Sequence, residues 1–456
     1  MSDGLPGGPV PATGLGGADD GFHRLHPLTP VLRGWKIFAA AVAIALQQAY
    51  GDLALPWLVG AVAVSIPVGA VYGWLAWRAT RYRISADDLR LETGILHKRS
   101  RQVRLDRLQA VDVVRPFVAR ALGLAELRLE VAGGSSSEAP LAYLSEEAAH
   151  RLRAELLARA AGLHHETPEA PERVLLEVPL SRLVESTIRS VAVLVTVGVL
   201  LAVVVITSVN RAPGLMAALL FPFLFGVVPV VVKSVITHFG FTVAESPDGL
   251  RLRHGLLETR AQTVPPGRVQ AVRLTEPLLW RSQGWCRVEV DVAGYVGEGQ
   301  QNASVLCPVA PRAEALRVLA RVLPGVDVDA VPLSGVPAAA RYLDPFAWRS
   351  LGVGADDRVL VTRRGRLTRV TDVVLHEKVQ SVRLVQGPLQ RRLGLASVHL
   401  DTTPGPVTAF AAHRDEREAR VMVDAEVERA RLSRASAGPD RWMTPPVDAP
   451  APTVQR

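Results

Sequence analysis

The phrase "GRVQAVRL" at residues 267–274 returns as "DRLQAVDV" at 106–113 and as "EKVQSVRL" at 377–384. Self-similarity at a long period is the mark of a supersecondary unit used repeatedly, so this chain is constrained to fold one small unit three times. Without any gap, residues 89–133 lie over 250–294 at a shift of 161, with seventeen of forty-five positions identical. "LRLETGIL" at 89–96 matches "LRLRHGLL" at 250–257, Pro116 matches Pro277, and "VAG" at 131–133 matches "VAG" at 292–294. A third copy aligns at "RRGRL" (363–367), "KVQSV" (378–382) and "GPLQRRLG" (387–394), with one residue inserted before Pro388.

Each copy consists of short β-rich runs broken at Gly94, Gly255 and Gly365, where a strand-to-strand turn can use positive φ. Alternation within "RLQAV" places Arg107 and Gln109 on one strand face and Leu108 and Ala110 on the other. The same reading applies to Arg268 and Gln270 and to Lys378 and Gln380, so the motif is expected to specify a strand in each unit. Pro116, Pro277 and Pro388 are followed by a glycine six or seven residues on, the signature of a short helical turn. Each unit then closes with a longer helix. In the first, Ser145 is the expected N-cap and Leu152, Leu156 and Leu157 the apolar face; the others are expected near 310–322 and 414–432.

Composition decides the setting. Hydrophobic residues make up 48%, charged residues 21%, and mean hydropathy is +0.20, a bias that favours a membrane protein over a soluble enzyme. From Ile37 to Trp77 the chain is apolar except for "QQAYGD" at 47–52; Val191 to Val209 and Leu215 to Val232 repeat the pattern around "NRAPG" at 210–214. About 20 residues of helix span a bilayer core, so four transmembrane helices in two hairpins are expected. His23, Arg24, Arg33 and Lys36 before the first hairpin, and Arg78, Arg81 and Arg83 after it, put its outer ends in the cytoplasm. The net charge of +8 is then met by an anionic leaflet, and with aromatics at only 5% a nucleic-acid stacking platform is not expected.

With these elements in place, "LHEKVQSVRLVQGPLQRRLGLASVHLDTTPG" at 375–405, its two weaker copies, and the hairpins before the first two resemble the bacterial pleckstrin-homology (PH) family in its membrane-flanked, YdbT-type form. The resemblance covers about residues 24 to 432. It implies PH-like units facing the cytoplasm and a non-enzymatic role in envelope stress or resistance alongside a smaller PH-domain membrane protein. One departure stands out: "PLSGVPAAARYLDPFAWRSLGVG" at 332–354, before the third unit, is too broken to span.

The expected architecture is therefore a multi-pass plasma-membrane protein: four transmembrane α-helices in two hairpins plus three cytoplasmic PH-like β-barrel or sandwich units, each capped by a C-terminal helix. A disordered leader at 1–22 precedes hairpin 1 at 32–77, PH-like domain 1 at 80–162, a linker at 163–180 and hairpin 2 at 187–236. PH-like domain 2 at 239–323, a linker at 324–347, PH-like domain 3 at 348–433 and a disordered tail at 434–456 complete the chain, with both termini cytoplasmic.

Chemistry is sparse. HExxH, Walker and serine-elbow motifs are missing, Cys286 and Cys307 read as buried thiols, and neither a metal nor a cofactor is expected. The four spans carry only Lys233 as an ionisable candidate, unlike a pump or pore. In "HKRSRQVR" at 97–104, Lys98, Arg99 and Arg101 are candidates for anionic headgroup contact. The equivalent stretches "ETRAQTVP" and "TRVTDVVL" do not keep the charges, which favours a solvated basic strand face. The favoured function is a membrane-anchored scaffold whose units bind a smaller PH-domain membrane protein or self-associate, with an anionic-lipid-binding or lipid-sensing protein as the alternative.

Overall fold

A computed structural model describes residues 23–24 and 54–437, apart from 86–87, 95–97, 105–107, 132–137, 161–172, 210–231, 247–248, 265 and 294–303. The expected leader, the first helix of hairpin 1, most of the fourth helix and the tail beyond 437 lie outside the described residues. The chain divides into two bodies between Leu105 and Asp106.

The first body holds a short strand β1 (His23–Arg24), helix α1 (Ala54–Ala79) and strands β2 (Arg81–Ile84), β3 (Asp88–Thr93) and β4 (Arg99–Arg104). The strands form one antiparallel sheet in the order β1-β2-β3-β4. Leu89, Leu91 and Val103 are buried, as period-two alternation requires of a sheet with one covered face.

The second body opens with β5 (Leu108–Pro116), short helix α2 (Phe117–Ala121), β6 (Leu124–Val131), β7 (Glu138–Ser145) and helix α3 (Glu146–Ala160). Ser145 caps α3, its hydroxyl accepting from Ala148 N at 3.3 Å, and Leu152 and Leu156 are buried as the 3.6 period demands; the Leu157 side chain lies outside the described residues. Next come β8 (Arg173–Glu177), helices α4 (Leu180–Ile188) and α5 (Val191–Val209), and strands β9 (Thr242–Ser246), β10 (Gly249–His254), β11 (Glu258–Val264) and β12 (Val269–Pro277). The second copy ends with α6 (Leu278–Arg281), β13 (Trp285–Val292), β14 (Val305–Pro311) and α7 (Arg312–Val322). The third comprises β15 (Gly352–Ala355), β16 (Val359–Arg364), β17 (Thr368–Leu375), β18 (Ser381–Val385), α8 (Pro388–Arg392), β19 (Leu395–Asp401), β20 (Ala409–Asp415) and α9 (Glu416–Ser436). Asp415 caps α9, accepting from Arg417 N at 3.0 Å and Glu418 N at 3.3 Å.

Hydrogen bonding does not stop at the boundaries of the sequence copies. One sheet runs β7-β6-β5-β11-β10-β9-β8, a second β14-β13-β12-β17-β16-β15, and a third is β18-β19-β20. The second half of the first copy therefore shares a sheet with the first half of the second, and the second half of the second with the first half of the third. The two junctions use one register, Pro116 opposite Glu258 and Pro277 opposite Thr368. The second copy is a sandwich of two different continuous sheets, filled by Leu250, Leu252, Val264, Val272, Leu274, Val288 and Leu306 among others. Cys286 and Cys307 lie in this core as free thiols, and burial pushes the Cys286 thiol up to about 12.

The turn glycines behave as read. Gly94, Gly255 and Gly365 have φ of +113°, +108° and +82°, and a Cβ on Gly255 or Gly365 would come 2.0 Å from a backbone oxygen three residues on. One further repeat escaped the sequence reading: "VPLS" at 178–181 and 331–334 marks where each later copy begins, Val178 N bonding Phe241 O at 2.9 Å and Ser334 bridging Val353.

Among the described residues no single helix is long and apolar enough to cross a membrane. The pair Leu180–Ile188 and Val193–Val209, bent by 53°, could do so by length and composition. The expectation of four spans in two hairpins thus narrows to one bent pair in the described residues. The bend follows from Arg189, which leaves helical geometry at φ −81° and ψ 8°, and from Ser190, whose hydroxyl caps the new helix by accepting from Val193 N at 3.2 Å. Val195, Leu201, Val205 and Ile206 on α5 are all more than half exposed. Before β15, where no hairpin was expected, the chain forms two 3-10 turns, Ala338–Tyr342 and Trp348–Ser350.

Candidate functional site

The repeated motif opens a strand, with "LQAV" starting β5 and "VQAV" starting β12, but without the regular alternation expected of it, and in the third copy only Ser381 and Val382 of the motif fall on β18. Arg268 ends a 3-10 turn, Pro266–Arg268, and Lys378 ends another, His376–Lys378; the strands begin after them. Arg107 and the Gln109 side chain lie outside the described residues, but the backbone register is informative. On β5, Leu108 faces Val131 and Ala110 faces Glu130, leaving Gln109 unpaired; on β12, Val269 faces Val292 and Ala271 faces Asp291, leaving Gln270 unpaired. The glutamine is the extra residue of a β-bulge, which breaks strict alternation and increases local twist. Val269, Gln270 and Ala271 are accordingly all buried, contrary to the two-face reading, and Gln270 Nε2 donates to Arg268 O at 3.1 Å across the turn. Gln380 precedes β18 and is exposed, its N–H donating to Asp401 O at 2.8 Å. Lys378 Nζ lies 3.3 Å from Glu377 Oε1.

The bulged strand is also the one that reaches the next copy, and there the chain concentrates its buried charge. In β12, Arg273 faces Asp372 of β17. Arg273 Nε donates to Asp372 Oδ1 at 2.7 Å, Arg364 donates to Oδ2, and the carboxylate is fully buried. Arg273 also reaches Pro406 O and, at 3.2 Å, Thr408 Oγ1 in the β19–β20 loop. One strand beyond, Asp291 is 1% exposed and accepts from Val407 N at 3.1 Å; burial pushes its carboxyl up to about 7. At the rim, Glu276 is held by Arg312 at 2.8 Å and Arg369 at 3.6 Å. The first junction is held by Arg153 of α3, donating to Thr263 of β11, and by Arg120 Nη1, donating to Thr259 Oγ1 at 3.2 Å.

Under the third copy a buried pair ties α9 to the turn: His376 Nδ1 lies 2.7 Å from Glu426 Oε1 and Nε2 3.0 Å from Asp356 O. Both ring nitrogens face acceptors, which calls for two N–H donors and hence imidazolium. Although burial opposes the charge, the Glu426 carboxylate and the Asp356 carbonyl raise the His376 pKa above its usual range.

The basic hairpin is placed differently. Lys98 and Arg99 are exposed at the start of β4, Arg101 is half-buried, and strand geometry puts Arg99 and Arg101 on one face. β4 is an edge of its sheet. The sequence reading missed the Arg273–Asp372 junction. Its signal was an acid inside the otherwise apolar run "VTDVVL" at 370–375, whose partner lies about a hundred residues away.

Comparison with known proteins agrees with this architecture. A family model described as "Bacterial PH domain" matches residues 38–160, 188–326 and 318–435. The protein named "UPF0699 transmembrane protein YdbT" from Bacillus subtilis (strain 168) is 22% identical over 316 residues, a stretch that spans 59% of this chain and 62% of that relative. With three matched regions that together take in well over half of the sequence, the chain belongs to the bacterial PH domain family.

Proposed function

We propose that the protein is a non-enzymatic integral membrane protein that presents its PH-like units to the cytoplasm as a scaffold. One observation carries this reading: the copies are joined by strand addition, so that the second copy shares a sheet with each neighbour while, among the described residues, β4 and β18 remain sheet edges. Such joints stiffen the connection between neighbouring copies, and the interior of the second copy is packed with aliphatic side chains. The bent apolar pair α4–α5 and the transmembrane relative support membrane insertion, and the arginine-rich flanks of hairpin 1 support the cytoplasmic orientation. The companion favoured by the family resemblance is a smaller PH-domain membrane protein, and envelope stress or resistance is the accompanying physiological setting.

Purification from the native membrane in mild detergent, followed by mass spectrometry, tests the scaffold. A stoichiometric protein companion is expected; recovery of the chain alone with retained anionic lipid defeats it. A second reading, binding of anionic lipid, is favoured by the exposed Lys98 and Arg99. It predicts adhesion to phosphatidylglycerol vesicles beyond what added salt removes, compared with phosphatidylcholine vesicles.

A further inference from the structure

The strand that follows the repeated motif has two sides in each copy. On β5 and β12 one side pairs within the copy and the other receives the third strand of the next copy, β11 or β17. In the third copy the same strand is β18. It pairs with β19 on one side and, among the described residues, with no strand on the other. The side chains register the difference. Val272 and Leu274 on β12 are 0% and 1% exposed, whereas their counterparts Val382 and Leu384 are half-buried and the adjoining Val385 is 42% exposed. Arg273 reaches across the junction to Asp372, but its counterpart Arg383 folds back onto its own sheet, where Nε and Nη2 donate to Asp401 at 2.6 Å each.

We propose that β18 is a docking edge for an antiparallel strand from another polypeptide, the third strand of a PH-like unit that carries a carboxylate opposite Arg383. The inference rests on the scaffold reading and deepens it by naming the surface and the partner's chemistry. Strand addition supplies main-chain hydrogen bonds and the facing side chains supply selectivity. The chain itself is the precedent, having formed this joint twice in one register. In that register a second copy of this chain would bring β4 and set Arg101 opposite Arg383, with Arg99 and Arg104 alongside. Like charges directly opposite are destabilising, so the edge selects a different chain with an acid in the Asp372 position.

The probe is a fluorescent synthetic peptide of residues 365–377, "GRLTRVTDVVLHE", titrated into the full-length detergent-solubilised protein and followed by anisotropy. Saturable binding is expected, weakened at least about tenfold by Asp372→Arg in the peptide and restored for that variant peptide by Arg383→Glu in the chain. Absence of binding, equal binding of both peptides, or indifference to Arg383→Glu overturns the proposal. So does dimerisation of the chain that Arg383→Glu abolishes, which would assign the edge to a second copy. Thermal unfolding confirms that Arg383→Glu remains folded. A companion recovered from native membranes with the parent chain but retained by Arg383→Glu refutes the docking edge and leaves the scaffold standing. If the parent chain yields no companion, the scaffold fails and the peptide titration alone decides whether β18 accepts a strand.

Discussion

Asp372 is the residue whose loss should open the junction between the second and third copies. It is fully buried and pairs with two guanidinium groups, Arg273 at 15% and Arg364 at 20% side-chain exposure. Breaking a buried ion pair by removing one partner costs about 3–5 kcal/mol, because the other charge stays buried and uncompensated. The low end applies to Asp372→Ala, since both arginines retain some solvent and Arg273 keeps Pro406 O and Thr408 Oγ1. Asp372→Asn keeps an acceptor and loses the charge, which places it at about half that cost. A multi-domain chain does not unfold in two states, so the assay is amide hydrogen exchange read on peptides covering β12 and β17. At about 1.4 kcal/mol per decade, Asp372→Ala should accelerate exchange there by roughly a hundredfold, Asp372→Asn by about tenfold, and leave β2–β4 untouched. Unchanged β17 exchange in Asp372→Ala would refute the view that this ion pair holds the joint.

Four further outcomes follow from the same geometry. The raised His376 pKa means the folded state holds a proton that the unfolded chain releases, so its contribution is complete below about pH 6.5 and lost as pH rises through the folded value; His376→Gln should flatten that part of a melting-temperature profile. Asp291, raised to about 7, has the same sign, with full stabilisation below about pH 3.8 and progressive loss from there through pH 7, so Asp291→Asn should raise stability at pH 8 by up to a few kcal/mol, by less at pH 5, and leave it unchanged below about pH 3.8. A Cβ at Gly405 would lie 2.1 Å from Asp291 Oδ1, and Gly405→Ala should loosen the β19–β20 loop, read as faster exchange over 402–408. Cys286 and Cys307, buried with thiol pKa values pushed up, should resist a maleimide in the folded protein and react only with urea.

The local grammar of the fold was legible because it is written in single residues. Gly255 and Gly365 sit where only a residue without Cβ fits, Ser145 caps the helix its position announced, and that first closing helix buries Leu152 and Leu156 as their spacing implied. The strand face of Gln270 was misjudged because a bulge inserts one residue and resets the alternation, and nothing in "RVQAV" itself distinguishes a bulge from a regular strand. The cross-copy sheets were not legible for a different reason. Pairing between Arg273 and Asp372 is a long-range choice among many strands of similar composition, and the repeat identifies equivalent strands without saying which of them meet. The membrane spans were read from apolar length alone, which does not register the break at Arg189 that turns α4 and α5 into one bent pair.

The bulge and the junction are one design. A strand that closes its own half-sheet and also accepts a neighbour must twist enough to leave the first sheet's plane, and an extra residue at its start supplies that twist. Chains built this way face the problem of their ends, because each terminal strand presents unpaired N–H and C=O groups to whatever strand arrives. The two ends meet it differently. β4 carries Arg99, Arg101 and Arg104 in six residues, a charge density that repels another such edge. β18 is cut to five residues, where β5 and β12 have nine, and carries one arginine, already satisfied by Asp401. Shortening and a single charge protect an edge less than three charges do, and a guanidinium that can exchange Asp401 for an incoming carboxylate makes the weaker protection selective. By this reasoning the amino-terminal edge is closed to other strands and the carboxy-terminal edge is open to one kind.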